Sequence, residues 1–144
     1  MKHSDGVRIS ASSDVVWEVF TDVERWPEWT ESVTSVEWVE GHAVVVGAKA
    51  AIKQPKLPKV VWEVTEVSDG ASWTWVATGP GATTIATHHV RALDAGTTEV
   101  TQSIEQRGPI GSLIGLLSRG MTKRYVAMEA AGLKARCEHA ATGA

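Results

Sequence analysis

One cysteine, one phenylalanine and one tyrosine occur among 144 residues, and these scarcities exclude several kinds of protein. The single thiol, Cys137, leaves no internal disulfide framework and no cysteine-based zinc site. Such sparing use of cysteine suits a reducing compartment, so a cytoplasmic location is expected. Long apolar runs are also missing. The longest in the second half, Ile110–Leu117, is broken by Gly111, Ser112 and Gly115. It falls far short of the roughly 20 residues a membrane span needs. Met1–Gly6 has no apolar signal-peptide core. Nor is there a cationic excess: Lys plus Arg is 14 against 17 for Asp plus Glu, a formal charge of −3. That argues against a nucleic-acid partner and against a protein held to an anionic membrane by a basic patch; with no apolar run of spanning length, no stable membrane insertion is expected.

Motifs for several chemistries are absent. No Gly-x-Ser-x-Gly elbow occurs, and Gly79-Pro80-Gly81 does not open a phosphate loop ending in Lys. His88 and His89 are adjacent, so on a strand they point to opposite faces and cannot share a metal. No metal and no cofactor are expected.

What remains is a globular balance, 43% apolar and 22% charged, at a length typical of one domain. Residues 1–144 are read as that single domain, with 139–144 a disordered tail. Seven tryptophans are conspicuous beside one Phe and one Tyr.

Val7–Ser10 reads as a short strand. Ser12 or Ser13 then offers an N-cap, and Val15, Val16, Val19, Phe20 and Val23 recur at helical spacing over Asp14–Asp22. Pro27 suits the start of a second short helix, Glu28–Ser32. From Val33 the period becomes two. Strands are expected at Val33–Glu40, Val44–Lys53, Val60–Val67, Ser72–Thr78, Ala82–Leu93 and Thr97–Arg107. Glycine- and proline-rich turns separate them. Gly108-Pro109 ends the sheet. Ile110–Glu138 is then helical, about 43 Å if continuous, with Gly111, Gly115 and Gly120 kinking or separating its first third. The expected fold is α+β. A curved antiparallel sheet of six or seven strands wraps around a long C-terminal helix, with two short helices after the first strand.

Several segments carry a resemblance. Ala11–Trp17 opens the first helix and Asp22–Trp29 closes it. Val46-Gly47 precedes a strand, Trp62–Val67 lies in mid-sheet, and Gly96–Thr101 enters the last strand. Gly108–Gly111 and Gly132–Lys134 flank the long helix. Together they resemble the START-like superfamily (SRPBCC, helix-grip fold), in its polyketide cyclase/dehydrase and lipid-transport branch. The resemblance implies a cavity between sheet and helix.

Strand alternation selects candidates for that cavity. Arg91 should face water, which places His88 inside and His89 outside; Gln102 shares an inner face with Val100 and Ile104. Trp38, Trp62, Trp73 and Trp75 fall in strands, and Leu117, Met121, Tyr125 and Met128 form a helical stripe facing them. These ten residues are the candidate ligand-binding set. Each has a plainer reading: indoles and thioethers as core, His88 as a hydrogen-bonded buried histidine, Tyr125 as a cap on a buried partner. Two functions fit. One is binding or transport of a hydrophobic lipid-like or aromatic molecule, by a monomer or homodimer. The other is a cofactor-free polyketide cyclase/dehydratase in which His88 or Tyr125 moves a proton. Only one clear titratable group lies in the expected cavity, which favours binding over catalysis.

Overall fold

The computed structural model describes residues 2–143. Seven strands form one antiparallel sheet: β1 Lys2–Ile9, β2 Ser35–Glu40, β3 Lys49–Lys53, β4 Val60–Ser68, β5 Ser72–Gly79, β6 Ala82–Asp94 and β7 Thr97–Arg107. The order across the sheet is β1-β7-β6-β5-β4-β3-β2. Among the described residues only the β1–β7 pairing joins strands distant in sequence; the rest is a meander of sequential neighbours, with tight turns from β4 to β7. The chain start therefore closes the sheet at one edge, with Val7 opposite Val100.

Between β1 and β2 lie α1 Ser13–Thr21 and a 3-10 turn, Val23–Glu28. Ser12 caps α1, its Oγ accepting from the Val15 N–H at 3.3 Å. Val16 and Phe20 point inward and are fully buried. The second short helix lies earlier than Glu28–Ser32. The Trp26 Nε1–H donates to the Phe20 carbonyl at 2.9 Å, which turns the chain immediately after α1. Pro27 sits inside that turn rather than opening a later helix.

β3 is shorter than the expected Val44–Lys53. Gly47 adopts φ +94°, which ends any ladder running back toward Val44. Val45 and Val46 are consequently exposed loop residues.

After β7 the helix breaks once, giving α2 Pro109–Leu117 and α3 Arg119–Gly143. Separation of the first third was expected from its glycines. The break falls at Ser118, whose N–H closes α2 on the Ile114 carbonyl at 2.8 Å. α3 runs on through His139–Gly143, so this stretch is helical where a disordered tail was expected; Ala144 lies outside the described residues. α3 packs on β1 and α1, with Leu133 and Cys137 fully buried in the core.

Candidate functional site

The inner face of the sheet carries a cluster of rings. Opposite positions on β5, β6 and β7 put Trp73 beside His88 and His88 beside Gln102. Trp73 is fully buried and stacks on His88 with ring centroids 4.0 Å apart. Phe20, Trp26 and Trp75 close around the same imidazole, with centroids 5.3, 6.1 and 5.6 Å away.

Beyond this cluster the space between sheet and α3 is open. An inner chamber of about 60 Å³ is bounded by Trp26, Trp75, His88 and Gln102. An outer chamber of about 370 Å³ is bounded by Leu57, Pro58, Val60, Met121 and Tyr125. Ile52, Gln54, Trp62, Ile104, Val126 and Glu129 line both, so the chambers are two parts of one cavity. No Lys or Arg lines either part. The combined space reaches the lower range of small-molecule sites.

The structure divides the ten expected residues. Trp62, Trp75, His88, Gln102, Met121 and Tyr125 line the cavity. Four do not. Trp73 is core, sealed between Trp17, Phe20 and His88. Trp38 is on the inner side of β2, but the 3-10 turn covers that end of the sheet. Its N–H donates to the Glu24 carboxylate at 3.1 Å, and its indole lines a separate surface depression with Trp17 and His42. Leu117 is 78% exposed, because the break at Ser118 turns it away from the α3 stripe. Met128 is half-buried and lines neither chamber; the inward face of α3 runs through Val126, Glu129, Leu133 and Cys137 instead. Trp26, which is not one of the ten, is buried and also forms a wall of the inner chamber.

His88 does not suit acid–base work near neutral pH. Its Nδ1 lies 3.2 Å from the Trp73 carbonyl oxygen, which can only accept, so Nδ1 carries the proton. Burial among rings disfavours the charged form and lowers its pKa from 6.5 to about 3, against a smaller opposing effect of the hydrogen bond. The imidazole is a neutral, fixed part of the wall. The Tyr125 hydroxyl is likewise engaged, donating to the Pro55 carbonyl at 2.6 Å and tying α3 to the β3–β4 connection.

The group that sequence reading passed over is Glu129. It lines both chambers, and its carboxyl makes no hydrogen bond or ion pair among the described residues. Burial raises its pKa from 4.5 to about 8, so it is mostly protonated at neutral pH. The Gln102 amide also lacks a protein partner among the described residues. A signal for Glu129 was present: it stands three residues after Val126 and four before Leu133, on the stripe that also carries Cys137.

A seven-stranded sheet gripping a C-terminal helix over an apolar cavity defines a START-like, helix-grip protein. The chain belongs to the polyketide cyclase / dehydrase and lipid transport family, whose profile matches residues 2–138. Comparison with curated protein sequences gives no significant match. Solved structures share the fold at low identity. A START superfamily protein from Mycobacterium smegmatis superposes with TM-score 0.72 at 14% identity, over 94% of this chain and 97% of that one. The Zhui aromatase/cyclase from Streptomyces sp. R1128 gives 0.78 at 16%, over 96% and 94%. Norcoclaurine synthase from Thalictrum flavum, in complex with dopamine and hydroxybenzaldehyde, gives 0.71 at 16%, over 96% and 87%.

Proposed function

We propose that the protein binds an uncharged, ring-containing hydrophobic molecule in the cavity between sheet and α3. The observation that carries this reading is the pairing of indole walls with two polar groups that the protein leaves unsatisfied. Trp62 and Trp75 meet with ring centroids 6.0 Å apart and offer flat surfaces. Buried polar groups normally have partners, so Glu129 and Gln102 are suited to take theirs from a ligand or from water. With its carboxyl protonated, Glu129 donates a hydrogen bond, and the match is a carbonyl or ether oxygen on the ligand. A free fatty acid fits less well. No cation lines the cavity to receive its carboxylate, and a buried unpaired charge is costly.

The test is a tryptophan-fluorescence titration with neutral aromatic ketones beside fatty acids, together with native mass spectrometry of the purified protein. Ketones should shift emission at micromolar concentration, and Trp62→Phe should remove most of the response. If no compound changes the emission and no small molecule co-purifies, the reading is overturned.

One observation supports a catalytic second reading, as a cyclase or dehydratase of poly-β-keto or aromatic intermediates. A carboxylic acid titrating near neutral pH inside an apolar cavity is the usual form of a general acid. In that reading Glu129, not His88 or Tyr125, gives the proton to a departing hydroxyl group.

A further inference from the structure

α2 is built inside out. Its buried positions are the glycines Gly111 and Gly115. Gly111 lies flat on β6, where a Cβ would come within 3.2 Å of the Ala82 Cα. The Ile110 and Gly111 N–H groups both donate to the Gly81 carbonyl, at 2.9 and 3.0 Å, which bolts the helix start to the β5–β6 turn. Its aliphatic side chains are left outside: Ile110, Leu113, Ile114, Leu116 and Leu117 are all about half exposed or more. An ordinary surface helix buries its apolar stripe; this one presents it.

The surrounding charge indicates what covers that face. No Asp or Glu occurs from Gln106 to Met128, whereas Arg107, Arg119, Lys123 and Arg124 do. Arg107 is paired with Glu105, but Arg119, Lys123 and Arg124 are exposed and make no ion pair among the described residues. A chain of net charge −3 thus has a local cationic collar beside its most apolar surface, which whole-chain charge conceals. Two copies meeting through α2 would bring these collars together, so self-association is electrostatically disfavoured. Exposed aliphatics flanked by unpaired Lys and Arg match an anionic lipid surface.

We propose that α2 and the first turns of α3 dock the protein on anionic lipid. Ile114 and Ser118 also line the outer chamber, so docking sets the cavity against the lipid. A hydrophobic ligand can then pass between the two without crossing water. The contact is peripheral and reversible, since no helix among the described residues is long and apolar enough to cross a membrane.

Vesicle co-sedimentation of the full chain tests this. Phosphatidylcholine vesicles containing about one-third phosphatidylglycerol should retain the protein, and pure phosphatidylcholine should retain at least tenfold less. High salt should release it. Leu116→Asp with Leu117→Asp should lower retention at least tenfold, as should Lys123→Glu with Arg124→Glu. Circular dichroism checks that each variant folds. Leu116 and Leu117 line neither chamber, so the ketone titration should be unchanged in that pair; this separates failure of docking from failure of the cavity reading. Equal retention by both vesicle types, full retention of the Leu116/Leu117 variant, or a stable dimer that ignores vesicles overturns the proposal.

Discussion

The His88 imidazole stacks nearly parallel on the Trp73 indole, the ring planes 13° apart, and hydrogen-bonds the carbonyl of the same tryptophan. Both contacts follow from register, because the two residues stand opposite each other on β5 and β6. One cross-strand pair thereby fixes the tautomer and removes the imidazole from proton transfer.

His88→Gln is therefore expected to cost about 1–3 kcal/mol of stability through a buried hydrogen bond lost or misaligned, and to spare any turnover. The acid limb gives a second signature. The pKa is about 3 when folded and 6.5 as the ordinary value, so the unfolded chain binds the extra proton. The contribution is present above pH 6.5 and lost as pH falls toward 3. Urea titrations at pH 7 and pH 4.5 should show a smaller stability difference in the variant. An unchanged difference would remove His88 from acid sensitivity.

Glu129 acts in the opposite direction. Its pKa is raised from 4.5 to about 8, so the folded state holds the proton longer than the unfolded one. Stability from this group is full below pH 4.5 and lost as pH rises through 8. Glu129→Gln should flatten that decline and be more stable than the parent at pH 9 by a few kcal/mol, measured by denaturation across pH. Ketone affinity in the parent should fall above pH 8, because the ionised carboxyl no longer donates. A ligand whose affinity instead rises on ionisation would identify a cationic amine.

Tyr125→Phe removes the hydroxyl bound to the Pro55 carbonyl. That carbonyl can turn to solvent, so the cost should be modest, about 0.5–1.5 kcal/mol. The connection carrying Leu57 and Pro58, which line the outer chamber, loses its tie to α3. Stopped-flow fluorescence should show faster ligand entry and exit, with equilibrium affinity changed less than either rate.

Gly132→Ala is expected to be among the most damaging single substitutions in the chain. A Cβ there would overlap the Trp29 carbonyl oxygen, which is backbone and cannot rotate away. α3 would have to lift from the segment after α1, at a cost of about 3 kcal/mol or more. A thermal melt within 2 °C of the parent would show that α3 is less closely seated.

The sequence by itself determined the order of the strands and the faces of the later ones, although β1 runs Lys2–Ile9 where Val7–Ser10 was expected and β3 begins at Lys49 rather than Val44. Period-two patterning through Ala82–Leu93 placed His88 inside and His89 outside, as the structure has them, and β7 has the expected limits, Thr97–Arg107. Alternation is a local property of extended backbone, so it can be read without knowing the partners. The ordering of elements and the family segments were legible for the same reason. The tertiary structure alone decided which inward residues border empty space. Trp73 and Trp75 share one face of one strand, yet Phe20 and Trp17 seal the first while the second opens on the cavity. That difference depends on where α1 comes to rest. The phase of α3 was decided in the same way. The break at Ser118 uncouples α2 from α3, so a stripe drawn from Ile110 onward led to Leu117 and Met128. Packing against β1 and α1 turned Val126, Glu129 and Leu133 inward instead. A helix of nearly uniform polarity has no strong preferred face of its own; its neighbours choose one, and here that choice placed an unpaired carboxyl inside the protein.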